Sequence, residues 1–218
     1  MTDITRIDGA SDAAIADWLA ARVQRAFRAS AGPVTITVPG GSTPFPIIEA
    51  LLAHDLPWER LVVWPNDDRV VPEDHEASNT GKLRRLFEPV GAEVVTLSVM
   101  EQVPHFALAW LGMGADGHVA SLFPNTDPRA DDPRNVVQLT PDPLPPEAPF
   151  DRISLTIPAL LDSGEIAFVI RGDDKSDVMA AALAAAHAAA EADEAGEGDL
   201  PMARLPAAAR RQVTVFAG

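Results

Sequence analysis

Residues 13–29 place Ile15, Leu19, Val23 and Phe27 at four-residue intervals, the stripe of a helix with one buried face. The next stretch has a different rhythm. Val34-Thr-Ile-Thr-Val38 is short and β-branched, is followed by Gly40-Gly41, and gives way to a helix opened by Pro44. The same alternation continues along the chain. Residues 61–64 predict a second strand and 78–87 a loop followed by a helix. Further strands are predicted over 93–97, 106–111, 135–139, 152–157, 165–170 and 212–216, with an alanine-dominated buried or half-buried helix over 178–192. Strands punctuated by helices imply right-handed βαβ units and a mostly parallel sheet. The expected fold class is therefore α/β, with residues 1–218 forming a single domain.

Two segments do not fit the alternation. Residues 127–149 are rich in proline and are expected to form a surface excursion. Residues 191–199 are acidic and contain glycine, and predict a flexible connection before the last strand.

Composition narrows the function classes. The 218 residues carry 17 basic and 32 acidic side chains, a net charge of −15. Nucleic acids and anionic membrane surfaces reward a basic face, so neither is expected as a partner. With no cysteine there is no disulfide framework, thiolate metal site or cysteine nucleophile. The chain opens with neither a basic leader nor an apolar run of signal-peptide length, and no stretch reaches the roughly 18 apolar residues of a spanning helix. The expected location is cytoplasmic.

In an open α/β sheet, ligands bind beyond the carboxyl ends of the strands, so the residues that follow each strand are the informative ones. After the first strand comes Pro39-Gly40-Gly41-Ser42-Thr43-Pro44. Its glycines allow a sharp turn and close backbone approach, and its hydroxyls and helix-start amides can cradle a phosphate. The same residues would also make an ordinary tight turn, with Ser42 or Thr43 as N-cap. After the second strand, Asn66-Asp67-Asp68-Arg69 puts carboxylates beside a guanidinium.

After the strand at 106–111, Gly112-Met-Gly114-Ala-Asp116-Gly117-His118 formally satisfies G-x-G-x-x-G. It lies midway along the chain, however, and Asp116 would repel a pyrophosphate. The turn reads better as one that brings Asp116 and His118 together. Histidine suits general-base work near neutral pH, and a neighbouring carboxylate can fix its tautomer. Arg152 and Lys175 complete the candidate set as cations at strand and helix starts, and lysine occurs only at 82 and 175. Histidines at 54, 75, 105, 118 and 187 show no metal-ligand spacing, and there is no G-x-S-x-G elbow, so neither a metal nor a covalent serine is expected.

Taken together, Gly40-Gly-Ser-Thr-Pro44, Asn66-Asp-Asp-Arg69 with Ser78-Asn79, Gly112 to Pro124, Arg152-Ile-Ser-Leu-Thr and Gly172-Asp-Asp-Lys175 resemble, in order, the motifs of 6-phosphogluconolactonases. The resemblance runs from about residue 34 to 216, and the stretch 112–124 is its most specific part. The other motifs are shared with glucosamine-6-phosphate deaminases of the same superfamily.

The resemblance implies a Rossmann-like fold with helices on both faces of the sheet. It also implies hydrolysis of 6-phospho-D-glucono-1,5-lactone in the oxidative pentose phosphate pathway, without a cofactor. The partner would be a small phosphorylated sugar lactone. His118 would be the general base, and Asp116 its companion, orienting the imidazole or holding a sugar hydroxyl. Gly41, Ser42, Thr43, Arg152 and Lys175 would bind phosphate, with Arg69 on the phosphate or lactone side and Asp67 matching the aspartate of an Asp-Glu-Arg motif.

The chain departs from that pattern at Asp68, one methylene shorter, at Val119 in place of threonine, at Phe106-Ala107 in place of Phe-Asp, and in a shortened segment between 79 and 111. Two other readings compete. One is an amino-sugar-phosphate isomerase or deaminase with Asp67 as base, although Val119-Ala-Ser-Leu-Phe-Pro124 lacks the glutamate usual there. The other is a sugar-phosphate-binding regulator without turnover.

Overall fold

A computed structural model describes residues 4–126, 128–146, 148–192 and 212–218. Its frame is a seven-stranded sheet. In spatial order the strands are β1 (Ile4–Asp8), β10 (Gln212–Ala217), β9 (Ser163–Ile170), β6 (Phe106–Leu111), β2 (Val34–Val38), β3 (Leu61–Pro65) and β5 (Glu93–Val94). Every neighbouring pair is parallel.

Parallel strands are covered on both faces, which is why these read as near-continuous apolar runs. Successive residues alternate between the two sides. Trp110, Ala167 and Val169 join a core beneath α1 (Asp12–Ala29), α2 (Pro44–Leu52) and α3 (Asn79–Phe87). Ala109, Leu111 and Phe168 join the opposite core with α4 (Ile157–Leu161) and α5 (Asp173–Ala192). The stripe read from residues 15, 19, 23 and 27 is fully buried against the first of these cores.

Chain order fixes where a ligand can enter. From β2 the chain winds outward through β3 to β5, then returns to lay β6 on the other side of β2 and proceeds to β9 and β10. The reversal opens a crevice between the carboxyl ends of β2 and β6, the place where open α/β sheets take their ligands. The two glycine-rich turns leave these two strands.

A second, three-stranded antiparallel sheet stands over this end: β4 (Asp67–Arg69), β8 (Arg152–Leu155) and β7 (Val136–Leu139). Asn66, with no exposed surface, welds it to the main sheet. Its side chain accepts from Thr37 Oγ1 at 2.7 Å and donates to the Trp110 carbonyl at 3.0 Å, while its own carbonyl accepts from Leu155 N. This residue of the Asn-Asp-Asp-Arg motif is architectural.

Several expectations change. The strand expected over 152–157 ends at Leu155, because Thr156 caps α4 by accepting from Ala159 N. The strand expected over 93–97 is only two residues long. Residues 127–149 are not merely a surface excursion, since Val136 and Val137 are buried in the core and Pro145 and Ala148 wall the cavity. Residues 193–199 of the expected acidic connection lie outside the described residues. None of the described helices is long and apolar enough to cross a membrane.

Candidate active site

A cavity of about 360 Å³ occupies the crevice. Lining it are Gly41, Ser42 and Thr43 after β2, Asp67 and Arg69 of β4, His118 after β6, Arg152 of β8 and Lys175 of α5. Sequence reasoning had named all of these. It missed Asn79, Trp110, Ser121, Phe123 and Arg171, which also line the cavity. In a chain of net charge −15, the described residues of the wall include Arg69, Arg152, Arg171 and Lys175 against one carboxylate, Asp67. Such a reversal of local charge is what an anionic ligand requires.

The two arginines owe their proximity to strand register. Arg69 and Arg152 are directly opposed across the β4–β8 pair, as are Asp67 and Ser154. Opposed residues share a face, and so do residues two apart on one strand, so all four project to one side. Like charges set opposite one another are unfavourable in the absence of an anion. Accordingly, burial first and the Arg69 charge second hold the Arg152 guanidinium below its usual range. Arg152 is kept in place by donating to the carbonyls of Phe150 and Ala148, both at 2.7 Å, and Arg69 by donating to Ala77 O at 2.8 Å.

Asp68 points the other way and has a different task. Its carboxylate accepts from Asn79 N at 2.6 Å, Thr80 N at 2.9 Å and Ser78 Oγ at 3.1 Å. It therefore ties β4 to the start of α3, where a carboxylate complements the helix dipole.

Asp67 sits at the cavity wall and is 9% exposed. Burial pushes its carboxyl above the usual carboxylate range, against the opposing effects of the Ser121 hydroxyl and Arg69. Its folded form therefore takes up a proton at higher pH than its unfolded form, and the ionised group is a net cost to stability at neutral pH. Asp67→Asn is expected to raise the melting temperature at pH 7 by about 2–4 °C, for roughly 1 kcal/mol relieved in a protein of this size. That gain should be smaller at about pH 4 than at pH 7, because the folded carboxyl begins to take up its proton at a higher pH than the unfolded one. Thermal unfolding of both proteins at the two pH values checks the expectation.

The turn after β6 delivers the histidine. Gly117 N donates to Gly114 O at 3.0 Å, and Gly114 N to His118 O at 2.9 Å. His118 Nδ1 lies 2.5 Å from Asp116 Oδ1, which also accepts from the His118 backbone N–H at 3.2 Å. This contact draws the Asp116 carboxyl below its ordinary range, so the group is ionised at neutral pH. An ionised carboxylate can only accept, so Nδ1 carries the hydrogen, and in the neutral form of the ring the lone pair is on Nε2. Asp116 itself is not part of the cavity wall; it stands behind the imidazole. Phe123 packs against the ring at a centroid distance of 4.5 Å.

Gly114 makes room for this pair, since a Cβ there would overlap the His118 ring and come within 2.7 Å of Asp116 Oδ1. Gly114→Ala is therefore expected to displace the imidazole by about 1 Å, a shift that costs about 10²-fold in the rate of any reaction the ring serves, while leaving the fold intact. Steady-state kinetics beside circular dichroism separates the two effects.

On the other side of the crevice, Gly41 takes φ +92°, a conformation that suits glycine. It turns the chain so that Ser42 and Thr43 enter the cavity wall. Thr43 was expected as a possible N-cap, but it is already helical (φ −61°, ψ −43°) and makes no side-chain cap bond. Pro44 and Pro46 have no N–H, so the backbone donors this turn can offer an anion are those of Ser42, Thr43 and Phe45. Arg69 Nε, Asn79 Oδ1 and Trp110 Nε1 are buried without a hydrogen-bond partner, three polar atoms on lining residues that a polyhydroxylated ligand can satisfy.

The comparisons with known proteins agree with this geometry. The family model described as glucosamine-6-phosphate isomerases/6-phosphogluconolactonase matches residues 9–93 and 88–215. A 6-phosphogluconolactonase of Pseudomonas aeruginosa is 34% identical over 192 residues, covering 78% of this chain and 79% of that protein. One from Neisseria meningitidis is 31% identical over 197 residues, covering 79% and 84%. Among solved structures, a 6-phosphogluconolactonase from Shewanella baltica superposes with a TM-score of 0.79 at 25% identity, covering all of this chain and 97% of its own. A strand order that opens between β2 and β6, the motifs at that opening and a match over nearly the whole length all point the same way: this chain belongs to the glucosamine-6-phosphate isomerase/6-phosphogluconolactonase family.

Proposed function

We propose that the protein, acting as a single catalytic domain, hydrolyses 6-phospho-D-glucono-1,5-lactone to 6-phospho-D-gluconate, the lactone-opening step of the oxidative pentose phosphate pathway. The observation that carries this reading is the pairing, in one crevice, of a carboxylate-oriented imidazole with an opposed pair of arginines. The first activates water; the second needs an anion.

The phosphate binds among Gly41, Ser42, Thr43, Arg152 and Lys175, with Arg69 beside it, and its binding energy orients the lactone ring. His118 Nε2 takes a proton from water as the oxygen adds to C1, and the carbonyl oxygen becomes an oxyanion. Asp116 holds Nδ1–H and stabilises the imidazolium, the same division of labour as in a catalytic triad without the nucleophile. As the tetrahedral intermediate collapses, the bond from C1 to the ring oxygen breaks and the imidazolium returns its proton to that oxygen. The immediate products are the C1 carboxylic acid and a hydroxyl at C5, and the acid then loses its remaining proton to solvent to give the carboxylate. Asp67 contacts a sugar hydroxyl.

Freshly generated lactone, coupled to NADP-dependent oxidation of the product and corrected for spontaneous opening, tests the reading. Turnover is expected with this substrate, and no deamination of glucosamine 6-phosphate. Thermal stabilisation by 6-phosphogluconate without any turnover would instead favour a binding protein.

A further inference from the structure

Ser121 has no part in the scheme above, yet it is 1% exposed and its hydroxyl donates to Oδ2 of Asp67, 54 residues earlier in the chain. Its backbone N–H donates to Ser154 Oγ at 3.2 Å, and that hydroxyl donates to Leu155 O at 2.9 Å. Ser154 is the residue directly opposite Asp67 in the β4–β8 pair. A buried polar chain thus joins the histidine turn, the antiparallel sheet and the one acid of the cavity wall.

The backbone goes out of its way to make this chain. Ala120 adopts φ +53°, the left-handed region that disfavours a side chain, and is the one non-glycine residue to do so among those described. Beside it the chain closes on itself, Leu122 N donating to Val119 O at 2.9 Å. Strain of this kind persists where the surroundings over-determine it, commonly at functional sites. Here it places the Ser121 side chain against Asp67.

We propose that Ser121 is a positioning residue: its hydroxyl pins Oδ2 of Asp67, so that Oδ1 is presented to a hydroxyl of the bound sugar lactone. Oδ1 has a single distant donor, Asn79 Nδ2 at 3.4 Å, and so retains capacity to accept. The proposal rests on the lactonase reading and adds a residue to it.

Ser121→Ala is expected to lower kcat/KM for 6-phosphogluconolactone by about 10-fold, the scale of one lost hydrogen bond to a charged group. The Asp67 carboxyl, followed by carbon NMR across pH, should titrate at higher pH in the variant, because a bond favouring the ionised carboxylate is gone. In an Asp67→Asn background the same substitution should change kcat/KM less than about twofold, since a residue that acts through Asp67 has nothing left to act on. Equal losses in both backgrounds, with an unmoved Asp67 titration, would overturn the proposal and leave Ser121 a packing residue. Should Ser121→Ala fail to fold, Ser121→Cys keeps the volume and weakens the donor, and must show the same upward shift. An active wild type with unshifted Ser121 variants defeats only this inference. A wild type with no lactone turnover defeats the lactonase reading with it.

Discussion

Replacing His118 with alanine is expected to reduce kcat on 6-phosphogluconolactone by about 10²–10⁴-fold, the usual worth of a positioned general base. The fold should be unaffected. The imidazole stands at the cavity wall, its side chain 30% exposed, beside Asp116 and Phe123, so its removal opens space that water can fill. KM should change little, because the residues proposed to bind the phosphate lie on other elements. The δ-lactone still opens spontaneously in solution, so the loss is measured above that background. His118→Gln keeps volume and polarity but cannot exchange a proton near neutral pH, and should be as inactive as the alanine variant. Steady-state kinetics on both variants, with 6-phosphogluconate binding followed calorimetrically, separates lost chemistry from lost binding.

Replacing Arg152 with methionine is expected to act the other way, on KM. Arg152 is 3% exposed, and its charge is already disfavoured by burial and by Arg69 opposite. A phosphate between the two relieves that repulsion. One charge-assisted interaction contributes about 1.5–3 kcal/mol, which corresponds to an increase in KM of about 10–10²-fold. In the absence of ligand, the methionine variant loses two hydrogen bonds to the carbonyls of Ala148 and Phe150, but it also loses a buried like-charge pair. Its melting temperature should therefore fall less than its substrate affinity. Initial rates over a range of lactone concentrations, together with thermal unfolding with and without inorganic phosphate, test both halves. Stabilisation of the wild type by phosphate should largely vanish in the variant.

The site was legible wherever function is written locally. The glycine turns after β2 and β6 announce themselves because close backbone approach needs glycine, and the pairing of Asp116 with His118 follows from two residues of spacing. Lys175 could be found because it opens the helix after β9. What the sequence hides is what distant segments do to each other. The direct opposition of Arg69 and Arg152 is a matter of antiparallel register between segments 83 residues apart, and β4 is only three residues long, too short for any alternation to show. Ser121 lies within the 112–124 motif, but its bond to Asp67 spans 54 residues and follows a left-handed alanine that no propensity foretells. The Asp67-Asp68 pair looked like one acidic cluster. Alternation along β4 gives the two carboxylates opposite duties, one at the cavity and one capping α3.

The departures from the lactonase motifs are also explained in part by position. Asp68 reaches the backbone amides at the start of α3 with its short side chain, so no longer acid is needed there. Val119 is fully buried in the core beneath the turn. Phe106-Ala107 opens a central strand, with Phe106 against Trp64 at a centroid distance of 6.0 Å, on the amino side of the sheet away from the crevice.

The central claim is that a phosphate held by cations brings a lactone carbonyl to a waiting imidazole. Its most direct test is the ratio of kcat/KM for 6-phosphogluconolactone to that for glucono-1,5-lactone, measured on the wild-type protein. The account predicts a preference for the phosphorylated substrate of at least about 10²-fold, since remote binding energy is what orients the reacting carbon. Equal efficiency on the two lactones would contradict it.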